Sequence, residues 1–84
     1  MHWDVIRVRA VSPLALEVEF ADGLQGKVLF QLSHLTGVFS ALKEPALFNQ
    51  VFVEGGAVAW PGNLDLAPDA MYEAISKDGA WVLH

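Results

Sequence analysis

The stretch Glu17-Val-Glu-Phe-Ala-Asp-Gly-Leu-Gln-Gly-Lys-Val-Leu-Phe30 constrains the fold of this chain more than any other segment. Leu14, Leu16, Val18 and Phe20 alternate with Ala15, Glu17 and Glu19, the period of two that marks a half-buried strand. A second strand runs from about Leu24 to Phe30. A three-residue loop, Ala21-Asp22-Gly23, places Gly23 at the left-handed position of a type I turn with a bulge. That loop pairs Phe20 with Leu24, Val18 with Gly26, Leu16 with Val28 and Leu14 with Phe30. It also sets Glu17 opposite Lys27 and Glu19 opposite Gln25. A two-residue Asp22-Gly23 loop would set Val18 against Lys27 and turn an apolar row toward water, so the alternation rejects it.

The same logic extends to a preceding strand, about Val5 to Val11. A loop of Ser12-Pro13-Leu14 pairs Ile6 with Phe20, Val8 with Val18 and Ala10 with Leu16. It matches Arg7 with Glu19 and Arg9 with Glu17 on the other face. Leu14 is then claimed by two ladders at once, and both loops cannot be ideal. The outcome is a three-stranded meander with one apolar face and one face carrying an Arg9–Glu17–Lys27 row, directed into water.

Beyond Phe30 the pattern turns helical. Gln31 to Leu42 reads as helical turns interrupted by Gly37, with Leu32, Leu35, Val38, Phe39 and Leu42 facing inward. Pro45 opens a short helix, Ala46 to Gln50, burying Leu47 and Phe48. Residues 51–54 and 57–60 form a hairpin around Gly55-Gly56, pairing Val53 with Val58 and Val51 with Trp60. Both faces of this hairpin are apolar, which predicts cover on both sides or an interface. Trp60-Pro-Gly-Asn63 is a turn. Asp65 is placed as the cap of a C-terminal helix with Pro68 and Asp69 in its first turn, Met71, Ala74 and Ile75 on its inner stripe, and Gly79 at its end. The tail Ala80-Trp-Val-Leu-His84 is apolar and has no assigned destination. The expected fold class is α+β: an antiparallel three-stranded meander plus a β-hairpin, with short helical turns and one C-terminal helix packed on the sheet.

Composition bounds the function. The 84 residues make one domain spanning 1–84, and the absence of cysteine excludes disulfides and thiolate metal sites. Ten acids against five bases give a net charge of −5, which disfavours direct binding to a nucleic-acid backbone. Charged residues make up only 18% and hydrophobic ones 54%, so a small domain is expected to keep an apolar patch for a partner or a second copy. The N-terminus has no long apolar stretch, and no run suits a membrane span; cytoplasmic residence is the expectation.

Catalytic signals are sparse. His2, His34 and His84 have no metal-like spacing, and two of them are terminal. Ser33-His34 is an adjacency without an oxyanion motif. Glu17 and Glu19 sit beside basic residues on the water-facing side, a solvated arrangement rather than a general acid–base pair. Gly23, Gly26, Gly55 and Gly56 are turn and strand glycines, and none precedes a helix as a phosphate cradle does. Asp65 and Asp69 alone are too few to hold a hard cation. The sequence therefore predicts no catalytic residues, no cofactor and no metal. The candidate partner-binding residues are Trp60, Pro61 and Asn63 on the turn, with Trp81 and Val82 in the tail. For Trp60, packing over the hairpin is the competing reading.

The run F-x-D-G-x-x-G-x-V is followed by L-x-x-L, G-V-F, L-K-E, a lone Phe, V-x-V and W-P-G-x-x-D-L-x-P-D-x-x-Y. In this chain these are Phe20, Asp22, Gly23, Gly26, Val28, Leu32, Leu35, Gly37 to Phe39, Leu42 to Glu44, Phe48, Val51, Val53, Trp60 to Gly62, Asp65, Leu66, Pro68, Asp69 and Tyr72. Their order resembles the bacterial family called domain of unknown function 2442, over about residues 3–75. The resemblance implies a small α+β fold without an assigned activity, some members of which resemble one half of a toxin–antitoxin pair. Some members carry an added helix-turn-helix domain; none is expected here, and with it no DNA-binding role by that route. The function expected is a non-enzymatic interaction module, antitoxin-like or a regulatory partner of another small protein. The alternative is a homodimeric small-ligand-binding or scaffold protein.

Overall fold

The computed structural model describes residues 3–12, 14–31, 33, 35–62 and 64–83, with the side chains of Ser12 and Val38 outside that description. The chain runs β1 (Val5–Ser12), β2 (Ala15–Phe20), β3 (Gln25–Phe30), a 3-10 segment (Gly37–Lys43), α1 (Pro45–Phe48), β4 (Phe52–Glu54), β5 (Ala57–Trp60), β6 (Leu64–Asp65), α2 (Pro68–Asp78) and β7 (Ala80–Leu83). Two sheets form, in the orders β1-β2-β3-β7 and β4-β5-β6. This is an α+β fold, with strands mostly antiparallel and one main helix.

The β2–β3 register follows the alternation of faces. Leu16 pairs with Val28, Glu17 with Lys27, Val18 with Gly26 and Glu19 with Gln25. Phe20 N–H donates to Leu24 O at 2.8 Å, and Gly23 takes φ +92° in the turn. The β1–β2 register is as expected from Arg7–Glu19 to Ala10–Leu16, but both ends shift. Val5 rather than Ile6 stands opposite Phe20, and Ile6 is bulged outward and exposed. The physical reason lies at the start of the strand. Val5 is buried, its N–H donates to Gly56 O at 2.8 Å, and Asp4 O accepts from Ala21 N–H at 2.8 Å. Reaching both turns requires one extra residue, which a bulge on an edge strand supplies. At the other end Ser12 pairs with Ala15, so the connection is shorter than the loop expected around Pro13, which lies outside the described residues. Leu14 resolves its double claim by adopting φ +64° while its carbonyl accepts from Phe30 N–H at 2.8 Å.

Three further expectations are corrected. The apolar tail is strand β7, parallel to β3, with Val28 opposite Trp81 and Leu29 opposite Val82, so the meander becomes a mixed four-stranded sheet. The hairpin gains a third strand, because Leu64 and Asp65 return along β5 to pair with Trp60 and Ala59. Asp65 is therefore a strand residue. The N-cap position of α2 belongs to Ala67, which makes no side-chain cap bond. The remaining signals of that helix hold: Pro68 in its first turn, Asp69 beside it, Met71 and Ile75 buried, and Gly79 left-handed at its end. The segment before α1 is described as a 3-10 run from Gly37, with Leu35 and Leu42 buried; Leu32 and the Val38 side chain lie outside the description.

The core lies between the inner face of the four-stranded sheet, helix α2 and the second sheet. Leu16, Val18, Phe20, Val28 and Phe30 meet Met71 and Ile75 from α2, Val58, Trp60 and Leu64 from the second sheet, and Leu66 just beyond it, with Leu35, Leu42 and Phe48 closing one end. Phe30 makes edge contacts with Phe48 and Trp60, at centroid separations of 5.5 and 6.0 Å. Gly26 sets how close α2 can come to the sheet. A Cβ there would fall inside the Ile75 side chain and 2.8 Å from Gly79 O. Gly56 does the same for the hairpin turn, where its φ is +81° and a Cβ would stand 2.7 Å from the Asp4 carboxylate.

Candidate interaction surface

The four-stranded sheet has two unlike faces. Its inner face is core; its outer face carries the side chains that alternate with the core rows. Arg7, Glu19 and Gln25 form one row across β1, β2 and β3. Arg9, Glu17, Lys27 and Ala80 form the next, and Ala15, Leu29 and Val82 a third. The face is thus charged at one end and apolar at the other. This follows from the Glu17–Phe30 alternation together with the parallel register of β7.

The charged end is an open groove of about 580 Å³, bordered by Arg7, Arg9, Glu17, Glu19, Gln25 and Lys27. Arg9 Nε and Nη2 reach Glu17 Oε1 at 2.9 and 2.8 Å, and Arg7 Nη2 reaches Glu19 Oε1 at 3.1 Å. The arginine side chains are 73% and 76% exposed, so these pairs face water as the row pattern predicts. Ion pairs in that setting contribute about 0–1 kcal/mol each. Lys27 lies opposite Glu17 on the neighbouring strand and makes no ion pair among the described residues.

The five candidate partner-binding residues do not come together. Trp60 is a correction: only 1% exposed, it packs between Phe30 and Phe48, and its Nε1–H donates to Phe48 O at 3.0 Å. An indole buried to this degree needs an acceptor, and the end of α1 supplies it. It is a core anchor, not a surface one. Pro61 is exposed beside a shallow hollow of about 250 Å³ shared with Phe52, Glu54 and Asp65. Asn63 lies outside the described residues. Trp81 is half-buried against the core, whereas Val82 points to the outer face and is 40% exposed. The second face of the hairpin sheet is only partly covered: Ala59 is buried but Phe52 is 39% exposed.

All three histidines, His34 included, lie outside the described residues. Among the described residues no three His, Cys, Asp or Glu side chains gather closely enough to hold a metal ion. The shifted titration is that of Tyr72, raised above the ordinary tyrosine value. Its hydroxyl donates to the Asp22 carboxylate, and partial loss of water and the nearby negative charge add to the shift. That pair joins α2 to the β2–β3 turn and lies away from the groove. Sequence reasoning contains the Arg9–Glu17–Lys27 row but treats it as a solvated face. What the row pattern alone leaves out is that strand pairing sets this row beside Arg7, Glu19 and Gln25, along one open groove.

No helix among the described residues is long and apolar enough to cross a membrane. A family model described as a protein of unknown function (DUF2442) matches residues 5–77. No curated protein and no solved structure matches the chain.

Proposed function

The chain belongs to the family of proteins of unknown function DUF2442, a membership that fixes no activity, and we propose that it is a non-enzymatic protein-interaction module. In this reading it is a cytoplasmic, antitoxin-like or regulatory partner of another small bacterial protein. One observation carries the reading: the four-stranded sheet packs the core on one face and leaves the other, with its charged groove and Val82, open to solvent. The carboxylates in that groove are held by arginines rather than set against each other, which suits recognition better than proton transfer. The net charge of −5 favours encounter with a basic partner. Affinity capture from the native host is expected to recover one small protein in stoichiometric amount. Recovery of none, together with a strictly monomeric free chain, overturns the reading.

A second reading is a homodimer with a ligand-binding or scaffold role. Val82 favours it, being an exposed apolar side chain in an edge strand of the sheet. Light scattering on the purified chain separates the two. A stable dimer that Val82→Asp weakens supports the homodimer, and an unchanged mass for that variant removes the tail from the interface.

A further inference from the structure

The charges of this chain are not spread evenly. Arg7, Arg9 and Lys27 are three of its five basic residues, and with Glu17 and Glu19 they give the groove a local charge of +1. The remaining eight acids and two lysines give the rest of the chain −6. The groove is therefore the place where an overall acidic molecule presents a surplus of cationic donors. Each arginine commits only part of its donor fork to its glutamate, and the Lys27 ammonium pairs with no carboxylate among the described residues. One row further along the same face, Leu29 is half-buried and Val82 exposed, side by side on β3 and β7.

We propose that this outer face binds a segment of a partner protein carrying carboxylates for Arg7, Arg9 and Lys27 and apolar side chains for Leu29 and Val82. The inference rests on the interaction-module reading and names the chemistry of the contact. A macromolecular segment suits the groove better than a small molecule, because the groove is an open trough on a sheet face, whereas small-ligand sites enclose most of the ligand's surface. An acidic segment suits it better than a basic one on charge complementarity. A cation placed there would meet Arg7, Arg9 and Lys27, while the two glutamates are already engaged. Long-range attraction to a basic partner and local docking of that partner's acidic segment act at different distances. At physiological salt the field of the whole molecule is screened beyond about 8 Å, and contact chemistry decides register.

The test is an amide chemical-shift titration of the full chain at physiological salt. The probes are a blocked peptide alternating glutamate and leucine, and the same peptide with lysine for glutamate. The expected result is saturable shifts at residues 7, 9, 17, 19, 25, 27, 29 and 82 with the glutamate peptide only. The triple variant Arg7→Gln/Arg9→Gln/Lys27→Gln, checked for an unchanged fold by its spectrum, is expected to weaken binding at least about ten-fold. The inference is overturned by shifts centred on Phe52 and Pro61, by equal binding of the lysine peptide, or by no binding at low millimolar peptide. Shifts on the same residues that grow with protein concentration alone assign the face to a second copy and also overturn it. Each of these outcomes leaves the interaction-module reading to be decided separately by host capture.

Discussion

The Tyr72 hydroxyl on α2 donates to one oxygen of the Asp22 carboxylate, fifty residues away in the β2–β3 turn. The other oxygen accepts from Leu24 N–H at 3.0 Å. Asp22 thereby closes its own turn and ties that turn to the helix. The Tyr72 ring meets Phe20 edge-on at 5.0 Å, so the polar tie sits over an aromatic contact at the rim of the core. The sheet whose outer face forms the groove is held at this end by a side chain from the far end of the chain.

This tie makes stability depend on alkaline pH. The folded state raises the Tyr72 value, so the neutral hydroxyl is favoured by folding. Its contribution is fully present below the ordinary tyrosine value near 10 and is lost as pH rises through the higher folded value. Denaturation midpoints are expected to fall in that range for the native chain and to stay flatter for Tyr72→Phe. Because Tyr72 is the single tyrosine, tyrosinate absorbance reads its titration directly. A value at or below the ordinary one would contradict the hydrogen bond.

Gly26 is expected to tolerate no side chain. Gly26→Ala must displace Ile75 or the Gly79 carbonyl, and overpacking of this kind costs about 1–3 kcal/mol. Ile75→Ala alone leaves a cavity costing about 2–5 kcal/mol. The double variant is expected to lose less than the sum, since the truncated side chain makes room for the new methyl group. Strict additivity in urea denaturation would show that the two positions do not meet.

Trp60 is expected to behave as a core residue. Trp60→Phe removes the bond to Phe48 O and leaves that carbonyl unsatisfied, a loss of about 1–3 kcal/mol. Denaturant midpoints measure the loss. An unchanged midpoint would mean that the indole is not buried.

The Arg9–Glu17 pair is expected to contribute little to folding. Glu17→Gln should change stability by less than about 1 kcal/mol, and the difference should shrink as salt is raised. A much larger loss in thermal unfolding would mean that the groove is structural rather than available for recognition.

Local chemistry explains which parts of this fold were legible in the sequence. The β2–β3 register was readable because Gly23 fixes the turn and a one-residue slip would expose Leu16, Val18 and Phe20 together. The end of α2 was readable because Gly79 is a left-handed stop. Strand β7 was not, because a parallel partner is chosen by tertiary packing and leaves no turn between Phe30 and Ala80. Strand β6 was hidden by its two-residue length, and Asp65 resembled a helix cap because cap and strand-end preferences overlap for a short acid. Trp60, beside Pro61 and Gly62, is compatible in sequence with a surface anchor and with a packed side chain; only the tertiary fold places Phe48 O against its indole. The groove was present as separate residues, Arg7, Arg9, Glu17, Glu19 and Lys27, but its concavity comes from strand pairing across the sheet.

The most direct test of the central claim is paired affinity capture from the native host. It compares the wild-type chain with the folded Arg7→Gln/Arg9→Gln/Lys27→Gln variant under identical salt. The account predicts one small protein recovered with the wild type in about one-to-one amount and reduced at least about ten-fold with the variant. Equal recovery with both chains would place the contact elsewhere on the molecule. Recovery with neither, from a chain that is monomeric in solution, would contradict the account as a whole.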